Sequence, residues 1–148
     1  MKRLILSAAT LMLAAAPAMA DELKLETGQW ENTINMTMEM NMGGQTMNMP
    51  MGPQVNSRCV TEEDATFNPD NITEEGCSVN DYTEEGRTIT FNIECSRDGM
   101  DLSGDMEMTL GADGKSTSGT MALTGVSPQV GEVTINADIS GKHTGACT

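Results

Sequence analysis

From Trp30 onward, apolar and polar residues alternate. Even positions carry Trp30, Asn32, Ile34, Met36, Met38, Met40 and Met42, whereas odd positions carry Glu31, Thr33, Asn35, Thr37, Glu39 and Asn41. Side chains two residues apart share one face of a strand, so this segment predicts one long strand with a mostly apolar side. Gly43 and Gly44 supply the positive φ angles that a two-residue hairpin needs. A turn there sets Met40 opposite Met47, Met38 opposite Met49 and Met36 opposite Met51. Pro50 and Pro53 cannot donate ladder hydrogen bonds, so the returning arm is expected to be an edge or a loop.

A short strand over 55–60 is expected next. Thr61 with Asp64 three residues on, ahead of Ala65 and Phe67, predicts one capped helical turn ending before Asn68 and Pro69. Further strands are expected over 77–82, 88–95, 101–110, 117–124 and 132–140. Their inward faces read Ile89, Phe91, Ile93; Leu102, Met106, Met108, Leu110; Met121, Leu123; and Val133, Ile135, Ala137, Ile139. Asp98 with Gly99, the segment 111–114, and Ser127 with Pro128 carry turn chemistry between them. The fold class is therefore all-β: an antiparallel meander of about eight strands with one short helical turn. A closed, lipocalin-like barrel is preferred to a sandwich, because closure removes the edges that a methionine-faced strand would expose.

The first residues change the picture of where this domain works. Lys2 and Arg3, the apolar run from Leu4 to Ala16, and the small residues Ala18 and Ala20 are the three parts of a secretory signal peptide. Cleavage is expected after Ala20, leaving 21–148 as a single domain in the periplasm. Asp21, rather than a lipid-accepting cysteine, follows the cut, so no membrane anchor is expected. Loss of Lys2 and Arg3 leaves six cations against twenty-two acids, a net charge of −16. Such a surface repels phosphate backbones and anionic headgroups, which argues against nucleic acid as a partner.

Four cysteines, Cys59, Cys77, Cys95 and Cys147, lie in the exported part, and an even count outside the cytosol reads as two disulfides. Cys77 and Cys95 are symmetrical about Gly86, so a hairpin turning there sets them face to face, leaving Cys59 for Cys147. Zinc is a poor alternative, with one histidine and no two cysteines close in sequence.

Two resemblances follow from these residues. Gly28, Gln29 and Trp30 resemble the G-x-W of lipocalin-type barrels, which implies that Trp30 plugs one end beneath a basic residue, Lys142 or His143. The segments GQWENTINMTM (28–38), CVTEED (59–64), ITFNIECS (89–96), GMDLSGDMEMTL (99–110), SGTMALTG (118–125) and SGKHTGAC (140–147) are together similar to exported proteobacterial proteins grouped as domain of unknown function 3617. That family tends to carry Met-Pro-Gly repeats, where this chain places Gly43, Gly44, Pro50 and Pro53 differently. The resemblance implies export, paired cysteines and an all-β domain, and brings no activity with it.

Catalysis is not expected. His143 is the only histidine, and there is no Gly-x-Ser-x-Gly elbow and no glycine-rich phosphate loop. Methionine is what departs most from the average: eleven lie after Ala20 and seven of these fall between Met36 and Met51, against four aromatic residues in all. The plain reading is that flexible methionines fill a core short of aromatics. Two binding readings stand beside it. In the first, Trp30, Met36, Met38, Met106, Met108 and Met121 line a pocket for an apolar small molecule or lipid. In the second, Met36, Met38, Met40, Met47, Met49 and Met51 bind Cu(I) or Ag(I), because thioether sulfur prefers soft ions and M-x-M strings resemble the motifs of periplasmic copper-handling proteins. A structural or protein-interaction module acting through its acidic face is a third reading.

Overall fold

The alternation in sequence becomes strand pairing across the whole domain. A computed structural model describes residues 23–68, 76–97 and 99–148; the expected leader over 1–20, with its cleavage point, lies outside them. Seven strands and one helical turn follow in order: β1 (Gly28–Met42), β2 (Gln45–Val60), α1 (Glu62–Ala65), β3 (Cys77–Glu85), β4 (Thr88–Arg97), β5 (Met100–Leu110), β6 (Ser116–Ser127) and β7 (Gly131–Gly145). They form one antiparallel sheet in the order β2-β1-β7-β6-β5-β4-β3. The chain is thus a hairpin (β1, β2) and a meander (β3 to β7), joined where the last strand returns beside the first.

The architecture is all-β as expected, but the barrel is only approximate. Seven strands replace the expected eight or so, because the segment over 55–60 continues β2 rather than forming a strand of its own. The sheet does not close: among the described residues, β2 and β3 are its two edges. Closure would need these two to pair. β2 has Pro50 and Pro53 in its middle, and β3 is 9 residues long against 16 for β2, so the two edges are poorly matched.

Each edge strand contains one irregularity that turns its remaining side chains over. Ile34 pairs with Gln54 and Met36 with Met51, so Gly52 and Pro53 together face Asn35 as a bulge. Before it the odd residues Met47, Met49 and Met51 share the face of the even β1 residues; after it the even residues Gln54, Asn56, Arg58 and Val60 do. Val55 consequently points away from the core and is exposed, while Val60 is buried. On β3, Asp81 and Tyr82 sit together between the pairs Asn80–Asn92 and Thr83–Thr90. Asp81 adopts a left-handed φ of 50°, and Tyr82 comes to stack on Phe67 with ring centroids 5.6 Å apart.

Strand pairing lines up inner-face residues into rows that cross the sheet. One runs Met51, Met36, Ala137, Met121, Met106, Phe91, and its neighbour runs Met49, Met38, Ile135, Leu123, Gly104, Ile93, Val79. Three buried clusters form on this face. Leu23, Ile89, Phe91 and Met106 make one, Leu123, Val133 and Ile135 a second, and Trp30, Val60 and Ala65 a third at one end. Gly104 and Gly125 allow close backbone approach between neighbouring strands beside these clusters. A Cβ on Gly104 would collide with the Ala122 carbonyl oxygen, and one on Gly125 with that of Asp101.

The Trp30 end is closed by local chain. α1 starts with the expected capping box: the Thr61 hydroxyl accepts from the Asp64 N–H at 3.4 Å, while the Asp64 carboxylate accepts from the Thr61 N–H at 3.2 Å. The turn delivers Ala65 to Trp30, and the Leu25 N–H donates to the Ala65 carbonyl at 2.8 Å. Both disulfides have the expected connectivity. Cys77 faces Cys95 across the β3–β4 hairpin with Cα atoms 4.0 Å apart, and Cys59 joins Cys147 across 88 residues at 5.5 Å.

Candidate functional site

The β1–β2 hairpin turns at Gly43 and Gly44, with φ angles of 60° and 84°, in the register that its alternation predicts. Met40 faces Met47, Met38 faces Met49 and Met36 faces Met51, so six thioethers form three consecutive cross-strand pairs on one face. Directly opposed residues in an antiparallel pair have Cβ atoms roughly 4.5–5.5 Å apart, within reach for two methionine side chains to meet. The Gly52–Pro53 bulge ends this ladder, since beyond it the same face of β2 carries Gln54, Asn56 and Arg58.

Burial is graded across the ladder. Met36, Met38 and Met40 are half-buried against Leu123, Val133 and Ile135. Their partners have no further strand beside them, and Met47, Met49 and Met51 remain 42%, 40% and 40% exposed, with Met42 at 41%. The inner row is thus held by packing, and the outer row is open to solutes. Thioethers are neutral and soft, so the pairs offer donors to a monovalent soft cation and little to a hard one. Among the described residues, no group of three or more His, Cys, Asp or Glu side chains is placed to hold a metal.

The six residues expected to line an apolar pocket are spread further apart. Met36, Met121 and Met106 share one transverse row, Met38 lies in the row beside it, and Met108 is opposite Gly119 one row toward the Trp30 end. Met121 packs against both central clusters. A small, partly open pocket of about 40 Å³ is lined by Leu23, Leu25, Phe67, Ile89, Met108 and Leu110, with Arg87 and Thr117 also on its wall, so only Met108 of the six borders it. Near it a wider groove of about 920 Å³ runs between residues 23–27 and the turns around Gly86 and Asp113, with Lys24, Glu26, Glu84, Arg87 and Asp113 on its walls.

Trp30 belongs to an end plug. It is buried, its Nε1 donates to the Glu26 carbonyl at 2.7 Å, and the Trp30 ring meets His143 edge-on. His143, and not the exposed Lys142, is the residue on the tryptophan; its Nε2 donates to the Thr27 carbonyl at 3.1 Å. Gly28 makes room for this arrangement, because with φ at 136° any Cβ there would strike the Gly145 carbonyl and His143 Nε2. Sequence reasoning missed Leu23, Leu25, Phe67 and Tyr82 as core. Their signal is faint: Leu23 and Leu25 alternate over only three residues, Phe67 stands beyond the helical turn, and Tyr82 is out of phase with Val79 until the irregularity at Asp81 turns it inward.

A curved, open antiparallel sheet with a plugged end, two disulfides and a methionine-paired edge defines a small all-β domain. The chain belongs to the family described as protein of unknown function (DUF3617), whose sequence model matches residues 25–147. No curated protein and no solved structure matches it.

Proposed function

We propose that this chain is an exported, non-enzymatic binding domain that holds Cu(I) or Ag(I) on the methionine ladder of the β1–β2 hairpin. The observation that carries the reading is the register Met36–Met51, Met38–Met49, Met40–Met47, which gathers six soft donors on one half-open face. Apolar packing alone would be served equally well by leucine, which a solvent-facing edge strand does not need at all. Met38, Met40, Met47 and Met49 make two neighbouring pairs and could supply up to four thioethers to one ion. The net charge of −14, which becomes −16 without Lys2 and Arg3, favours approach of cations. Two disulfides accord with work in an oxidising compartment such as the periplasm.

The test is a competition titration of the purified, disulfide-bonded protein with Cu(I) held by a chromogenic chelator. Uptake near one ion per chain is expected for the native protein, weakened at least about tenfold in Met38→Leu/Met40→Leu/Met47→Leu/Met49→Leu. Methionine-to-leucine exchange conserves volume, so the variant should keep its fold by circular dichroism. No uptake by the native protein, or equal uptake by the variant, rejects the proposal.

A second reading rests on the row Met51, Met36, Ala137, Met121, Met106, Phe91, an apolar strip running across the sheet from the open β2 edge. An apolar ligand would lie along this face, since the pocket of about 40 Å³ beside Met108 is far below the roughly 300 Å³ of ordinary ligand pockets. Native mass spectrometry of protein taken from the cell envelope separates the two readings by a metal-sized or a lipid-sized adduct.

A further inference from the structure

The two halves of the ladder differ in their access to water, and this has chemical consequences. Met42, Met47, Met49 and Met51 are each 40% exposed or more, Met36, Met38 and Met40 are shielded by packing, and Met106 is 8% exposed. Oxidation of a thioether requires an oxidant to reach the sulfur, so exposure sets the order of reaction.

We infer that Met42, Met47, Met49 and Met51 form an oxidant-reactive edge, converted to sulfoxides by peroxide while the inner methionines are spared, and that this modification turns off the soft-metal site. The sulfur donates an electron pair to one peroxide oxygen; the S–O bond forms as the O–O bond breaks. Sulfur is oxidised by two electrons, and the second peroxide oxygen, reduced, leaves as water after taking up a proton. The product exchanges a soft sulfur donor for a polar oxygen. Because Met47, Met49 and Met51 are the outer members of all three cross-strand pairs, their oxidation takes one donor from every pair. The bulge and the single inner packing face leave Met36, Met38 and Met40 in place, so the fold is expected to survive the change. The part of this inference that concerns metal rests on the reading of the ladder as a soft-cation site; the order of oxidation does not.

The test uses the full disulfide-bonded protein, treated with hydrogen peroxide while metal-free, desalted, and mapped by peptide mass spectrometry. Oxygen addition is expected at Met42, Met47, Met49 and Met51 at least about tenfold faster than at Met106. Ag(I), which does not cycle with peroxide, is then titrated into reduced and oxidised protein, and oxidised protein is expected to bind at least about tenfold more weakly. Equal oxidation rates at Met49 and Met106, or undiminished Ag(I) affinity after sulfoxide formation, overturns the inference. If the untreated protein takes up no Ag(I) or Cu(I), the binding proposal and the switch fall together, and the oxidation map alone decides whether the reactive edge exists. Met47→Gln/Met49→Gln, which mimics the polarity of the sulfoxide without oxidant, is expected to repeat the loss of Ag(I) binding.

Discussion

His143 stands edge-on to Trp30, with ring centroids 6.0 Å apart and ring planes at 76°. The pair links the first strand to the last at the end where Val60, Ala65 and Leu25 also converge. Replacing Trp30 with alanine removes the largest side chain of this cluster, and a loss of about 3–5 kcal/mol is expected in denaturant unfolding followed by circular dichroism. Because Trp30 is the only tryptophan, its fluorescence reports this end alone, and native protein should show the emission of a buried indole.

The two disulfides close loops of very different length. In the chain-entropy treatment, Cys59→Ala/Cys147→Ala, which opens an 88-residue separation, should cost about 4.5 kcal/mol. Cys77→Ala/Cys95→Ala opens a separation of 18 and should cost about 3 kcal/mol. Urea midpoints of the two double variants check both the ranking and the size.

Burial separates methionines that look alike in the sequence. Met106→Ala leaves a cavity beside Phe91 and Ile89 and should destabilise by about 2–5 kcal/mol. Met49→Ala, on the open edge, should change stability by less than about 1 kcal/mol. Thermal melts that show equal losses would place the ladder inside the core.

Asp64 carries a pH dependence of known sign. Hydrogen bonds from the Thr61 hydroxyl and from its backbone N–H, with Arg58 nearby, hold the Asp64 carboxyl below its usual range. A lowered folded-state pKa means stability that is present above the unfolded value and lost as pH falls through the folded one. The native protein should therefore be more stable than Asp64→Asn at about pH 6, and the difference should shrink toward about pH 3. Unfolding curves at the two pH values measure it.

Much of this arrangement was legible in the residue pattern. Alternation at Trp30–Met42 set the inner face, Gly43 with Gly44 fixed the methionine register, Gly86 set Cys77 against Cys95, and Thr61 with Asp64 marked the helical turn. These are local signals, each read within a few residues. Closure is not legible because it depends on whether β2 and β3, consecutive in sequence but at opposite ends of the sheet, match as edges, and neither Pro53 on β2 nor Asp81 on β3 states that alone. The shift in parity at Gly52 and Pro53 was likewise hidden: an added residue in a strand looks the same in sequence as the end of one strand and the start of another. The grading of burial across the ladder follows from β2 having a neighbour on one side only, a property of the completed sheet.

Pro50 and Pro53 also bear on how molecules of this protein meet each other. Sheets grow into fibres when one chain's outermost backbone offers an unbroken series of amide donors to the next. Here imino nitrogens interrupt that series twice within four residues, and the Gly52–Pro53 bulge adds a bend. The β2 rim, with its thioethers open to solvent, is thereby a poor template for backbone pairing with another chain.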